Sequence, residues 1–129
     1  MSDYVFVYGT LKRGEPNNQL MNGAEYVCDA IASNCVLVDL GGCPGMIIGS
    51  CGTECAAKGE VFAFEDIRVL RQLDQLEQEG SLYKRIMIPL YIEGEVRMCW
   101  TYVLLHSIPS EAVIKDGIWT SMKSMTQGP

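Results

Sequence analysis

Only one stretch of this chain carries a sustained helical spacing. From Asp66 to about Gln78, the residues Ile67, Leu70, Leu73 and Leu76 fall on one stripe, with Leu82 at the exit and Gly80 as the stop. The other apolar residues sit in short runs rich in β-branched and aromatic types. A chain with many short strands and one amphipathic helix has to bury that stripe against a sheet. The pattern therefore predicts an α+β fold, a small, mainly antiparallel curled sheet or β-barrel with one helix across it.

Tyr4-Val5-Phe6-Val7-Tyr8 reads as a buried strand that leaves through Gly9 into a tight turn. Residues Lys12 to Asn18 read as a loop, and Asn17 to Met21 as a short helical turn before Gly23. Val36-Leu37-Val38 and Met46-Ile47-Ile48 are expected as strands on either side of a Gly41-to-Gly45 loop. Gly59 to Phe64 follows as another strand, and a glycine at its start points to a close backbone approach. Ile86 to Ile92 and Val96 to Leu105 flank Glu93-Gly94-Glu95 as a hairpin, with Pro89 placing its first arm at an edge or bulge.

The 129 residues are enough to close a core, so one domain over 1–129 is expected, with about 122–129 as a polar tail. A formal net charge of -6 repels a phosphate backbone, which argues against nucleic acid as a partner. Apolar runs such as Cys99 to Leu105 fall far short of the ~20 residues of a membrane helix, and Met1 is not followed by a basic-then-apolar signal pattern. The expectation is a cytoplasmic protein without a membrane partner. The six cysteines (28, 35, 43, 51, 55 and 99) read as free buried thiols. Zinc at Cys43, Cys51 and Cys55 is the rival reading, weakened by the lack of any CxxC pair and by a single histidine, His106, which is expected to face solvent.

That histidine cannot serve a triad and a metal together, and the sequence contains no phosphate-binding Gly-Lys-Ser/Thr loop. What remains are carboxylates and backbone donors. Where the strand ends at Tyr8-Gly9-Thr10-Leu11, successive amides lose their ladder partners, and with the Thr10 hydroxyl they suit a carboxylate or an oxyanion. Ordinary strand-to-turn punctuation explains the same four residues equally well. Asp74 and Glu77 share one side of the helix. Glu77 sits near the helix C-terminus, where free carbonyls disfavour a carboxylate and raise its pKa, although most helix-surface glutamates are simply solvated.

Taken in order, these segments resemble the γ-glutamylcyclotransferase-like family. The residues that carry the resemblance are Val5 to Gly14 with its Tyr8-Gly9-Thr10-Leu11 core, Pro44-Gly45, Gly59 to Phe62, Leu73 to Glu77, Tyr83-Lys84-Arg85 and Trp100-x-Tyr102, about the first 105 residues. The resemblance implies a small, mixed, mainly antiparallel β-barrel with flanking helices. It implies substrate binding by Tyr8, Gly9, Thr10, Leu11 and Tyr83, and catalysis by Glu77. One departure is local: Gln78-Glu79 stand between Glu77 and Gly80, where the family commonly has glycine directly after the glutamate.

The reaction implied is cyclisation of a γ-glutamyl amine or amide to 5-oxoproline, with one carboxyl accepting and returning a proton and no cofactor or metal. The partner implied is a small γ-glutamyl molecule. A non-catalytic domain holding a small carboxylate would carry the same motif.

Overall fold

The computed structural model describes residues 2–49, 55–77, 80, 82–105 and 113–121. The expected tail at about 122–129, His106 and the Gln78-Glu79 pair lie outside the described residues, as does Cys51 of the group weighed for zinc.

The chain forms β1 (Asp3–Val7), a short 3-10 turn (Asn18–Met21), β2 (Ala24–Ser33), β3 (Cys35–Asp39), β4 (Pro44–Ile48) and β5 (Ala56–Phe64). The helix α1 (Arg68–Leu76) follows, the one α-helix among the described residues, then β6 (Tyr83–Ile92), β7 (Glu95–Leu104) and the two-residue β8 (Val113–Ile114). A five-stranded sheet runs β2-β5-β1-β7-β6, and a three-stranded sheet runs β4-β3-β8. Every pairing is antiparallel except β1 with β7. The larger sheet curls until β2 approaches β6, but no ladder joins those two edges. The α+β class and the antiparallel bias hold, while the barrel expectation is corrected to an open, curled sheet.

β1 lies in the middle of the larger sheet, and its alternation divides the core. Val5 and Val7 pack toward α1 with Phe62, Phe64, Leu70 and Leu73, whereas Phe6 and Tyr8 face the opposite cluster with Leu37, Val61 and Ile88. The helix buries Val69, Leu70 and Leu73, each contributing about 1.5–3 kcal/mol on leaving water. The 3-10 turn falls where the sequence placed it. The hairpin turns through two residues, Glu93 (φ 52°) and Gly94 (φ 87°), the left-handed pair of a tight β-turn. Pro89 lies on β6, an edge strand.

Gly59 bears out the close approach expected of it: a Cβ there would stand 2.3 Å from the Val7 carbonyl oxygen and 2.9 Å from the Phe6 ring. Two expectations change. Pro44 and Gly45 belong to β4 rather than to a loop, because their backbones pair with Asp39 and Val38. Cys28, Cys35, Cys43 and Cys99 are thiols, but Cys55 is disulfide-bonded. Among the described residues, no helix is long and apolar enough to cross a membrane.

Candidate active site

β1 ends at the centre of the sheet, so the chain that follows it emerges above the core. Gly9 to Lys12 forms a turn closed by the Lys12 amide donating to the Gly9 carbonyl at 3.1 Å. Gly9 is needed here for space rather than for an unusual backbone angle: a Cβ would lie 2.5 Å from Cγ of Pro44 and 2.6 Å from its Cδ. The turn is braced from below. Asn17 donates its amide to the Thr10 carbonyl (2.9 Å) and its side-chain Nδ2 to Thr10 Oγ1 (3.1 Å), while Asn18 Nδ2 donates to the Leu11 carbonyl (2.9 Å). Among the described residues, neither the Thr10 nor the Leu11 amide N–H finds an acceptor. Two donors are thus held in place and unspent.

Glu77 caps α1, its amide donating to the Leu73 carbonyl at 2.9 Å. Burial pushes its carboxyl from the usual 4.5 up to about 7. The raise was expected from the helix terminus, but the cause here is removal from water.

Tyr8, Gly9, Thr10, Leu11, Glu77 and Tyr83 all line one cavity. The space is narrow, about 30 Å³, room for roughly two water molecules. Larger clefts of about 420 and 460 Å³ exist elsewhere. Size alone favours them, but the buried carboxyl and the unspent amides belong to the narrow one.

The two tyrosines already have partners. Tyr8 donates its hydroxyl to the Tyr102 carbonyl at 2.6 Å, and Tyr83 donates to the Pro44 carbonyl at 2.5 Å. Burial first, then the charge of Glu77, holds the Tyr8 hydroxyl well above its usual value. Burial likewise raises Tyr83, with Cys43 and Glu77 adding to it. Both stay protonated and shape the cavity by their hydrogen bonds.

Sequence reasoning did not single out Cys43 or Tyr102 as lining residues. Tyr102 donates to Asp74 Oδ1 at 2.7 Å, and Arg85 Nη1 donates to Asp74 Oδ2 at 3.0 Å with its guanidinium 4.8 Å from the centre of the Trp100 ring. Arg85 is half-buried. The strand pairing that sets Arg85 opposite Tyr102 puts both on the helix side. Strand alternation alone does not record this, because the same face carries the exposed Met87, Pro89 and Tyr91 further along β6.

The family described as "Gamma-glutamyl cyclotransferase, AIG2-like" matches residues 5–121. The γ-glutamylcyclotransferase family protein YtfP of Escherichia coli strain K12 is 30% identical over 115 residues, 89% of this chain and 94% of that protein. A putative γ-glutamylcyclotransferase of Vibrio cholerae is 30% identical over 120 residues, 92% and 96% of the two chains. The γ-L-glutamyl-butirosin B γ-glutamyl cyclotransferase of Niallia circulans is 30% identical over 106 residues, 77% of this chain and 65% of that one. In three dimensions the fold resembles an AIG2-like protein from Mus musculus, with a TM-score of 0.77 at 23% identity over 99% of this chain and 91% of the other. A match that runs from β1 through the residues after β8, and so spans both walls of the cavity, decides the question: the chain belongs to the γ-glutamyl cyclotransferase, AIG2-like family.

Proposed function

We propose that this protein is an enzyme that cyclises a γ-glutamyl amine or amide to 5-oxoproline and releases the free amine. One observation carries the reading. A carboxyl that titrates at about 7 shares a narrow cavity with two unspent backbone N–H donors. Membership in the family supports it, and so does the relative named for acting on γ-L-glutamyl-butirosin B.

In this reading the Thr10 and Leu11 amides receive the substrate α-carboxylate or the oxygen of the carbonyl under attack. Glu77 takes a proton from the α-ammonium, and the freed nitrogen attacks the γ-carbonyl carbon. A new N–C bond closes the five-membered ring. The bond from that carbon to the leaving nitrogen then breaks as Glu77 returns that proton to it, and the ring nitrogen gives up its second proton through the same carboxylate, so that the amine departs as an ammonium and the lactam nitrogen keeps one hydrogen. Both reacting groups belong to one molecule, so the protein's task is to fold the glutamyl arm and relay protons from the attacking nitrogen to the leaving one. Tyr8 and Tyr83, held by their carbonyl partners, fix the walls. The glutamyl arm is larger than the empty cavity, so binding parts those walls.

The test is a panel of γ-glutamyl amides assayed for 5-oxoproline. Wild-type protein releases it from at least one of them, and Glu77→Gln loses the release by at least about 100-fold. A variant within tenfold of wild type would remove Glu77 from the mechanism.

A further inference from the structure

The outer face of the β6–β7 hairpin breaks the rule that an exposed sheet face is polar. Ladder partners Tyr91 and Val96, Pro89 and Met98, and Met87 and Trp100 stand side by side on it. Tyr91 is 74% exposed, Val96 59% and Met98 50%. The inward set, Ile88, Leu90, Ile92 and Cys99, already fills the core. Nothing in the fold requires the outward set to be apolar.

The patch continues around the edge of β6. A cleft of about 460 Å³ lies where β2 and β6 fail to pair, and Ile31 and Ile48, both exposed, stand on its far side. Hairpin face and cleft rim together expose roughly 600 Å² of apolar residue, at the top of what a monomer ordinarily shows.

We infer that this face is a self-association surface on which a second copy of the chain docks, related by a two-fold axis passing near the Pro89–Met98 pair. Two observations select a second copy over another partner. Two such patches can bury up to roughly 1,200 Å² in total, the lower bound of a specific contact of standard size. None of the named patch residues carries a charge, although the chain as a whole is at -6. A basic partner would be drawn to the acidic surface elsewhere, whereas identical acidic chains repel least where both are neutral. An apolar face is its own complement, as a two-fold contact needs. Pro89 lacks an amide N–H and so spoils strand addition along the β6 edge, which makes the contact one of side chains, face to face. Tyr83 and Arg85 lie at the other end of β6, so the cavity stays open in the dimer.

The experiment is light scattering on the full chain after size exclusion, from micromolar to hundreds of micromolar. The expected mass is twice the 14.3 kDa of the chain. Tyr91→Glu and Met98→Lys each place a charge on the face and raise the dimer dissociation constant by at least about tenfold, with thermal melting confirming that each variant is folded. Tyr91→Ser serves if the glutamate variant does not fold. Ile67→Glu, at an exposed apolar position just before α1, leaves the dimer intact. A wild-type mass of one chain at every concentration overturns the inference. So does a dimer that survives all the face variants, or one that Ile67→Glu dissociates equally.

Discussion

Replacing Glu77 by glutamine should make the protein more stable at alkaline pH while abolishing its proposed activity. In the unfolded chain the carboxyl titrates near 4.5, and in the fold burial moves it to about 7. Between those values the native protein holds a proton that the unfolded chain has lost, so wild-type stability falls as pH rises through this window. Each pH unit is worth about 1.4 kcal/mol per proton, and the ionised carboxyl therefore costs the fold about 3 kcal/mol above pH 7. Glutamine keeps the shape and cannot ionise. The variant should match wild type below about pH 4.5, then gain on it steadily, and exceed it by about 3 kcal/mol, or roughly 10 °C in melting temperature, at about pH 8. Denaturant unfolding of both proteins across that range measures the difference, in which all other titrating groups cancel. A gap that stays constant within about 0.5 kcal/mol from about pH 5 to about pH 8 refutes the reasoning, because Glu77 would then be as hydrated in the fold as outside it.

The same carboxyl sets the acid limb of activity: kcat/KM for 5-oxoproline release should fall about tenfold per pH unit below about 7, as the base becomes protonated. Gly9→Ala drives a methyl group into the Pro44 ring and should cost about 1–3 kcal/mol in denaturant unfolding, with a rise in KM as the cavity deforms. Tyr83→Phe leaves the Pro44 carbonyl without its donor and should destabilise by about 1–2 kcal/mol, with the acid limb of the pH profile unmoved.

The sequence was most legible where a local pattern and its tertiary surroundings agreed. The stripe of Leu70 and Leu73 specified α1, and Glu93-Gly94 specified the hairpin, because each is decided by residues a few positions apart. β2 went unread. Its ten residues include three alanines with Glu25 and Asp29, poor strand formers that are recruited by the neighbouring β5 rather than by their own preference. The open seam was also invisible, since closure depends on how far β2 and β6 curl toward each other, and no short motif records that. At the site, the expected residues do line one cavity. The reason for the raised pKa of Glu77 was misread, because the sequence shows a residue's place on a helix and not the walls around it. The Asp74, Arg85 and Tyr102 cluster escaped for a related reason: its members come from three elements.

The contact of Gly9 with Pro44 joins the two sheets at the cavity. The Thr10 and Leu11 amides and Glu77 follow β1 and α1, whereas Cys43 and Pro44 come from the small sheet's hairpin. One wall of the cavity is thereby supplied by a stretch of chain separate from Glu77 and the turn amides. A substitution at Cys43 would reshape that wall and, in the proposed reaction, the fit of the departing amine, while Glu77 and the Thr10 and Leu11 amides stay where they are.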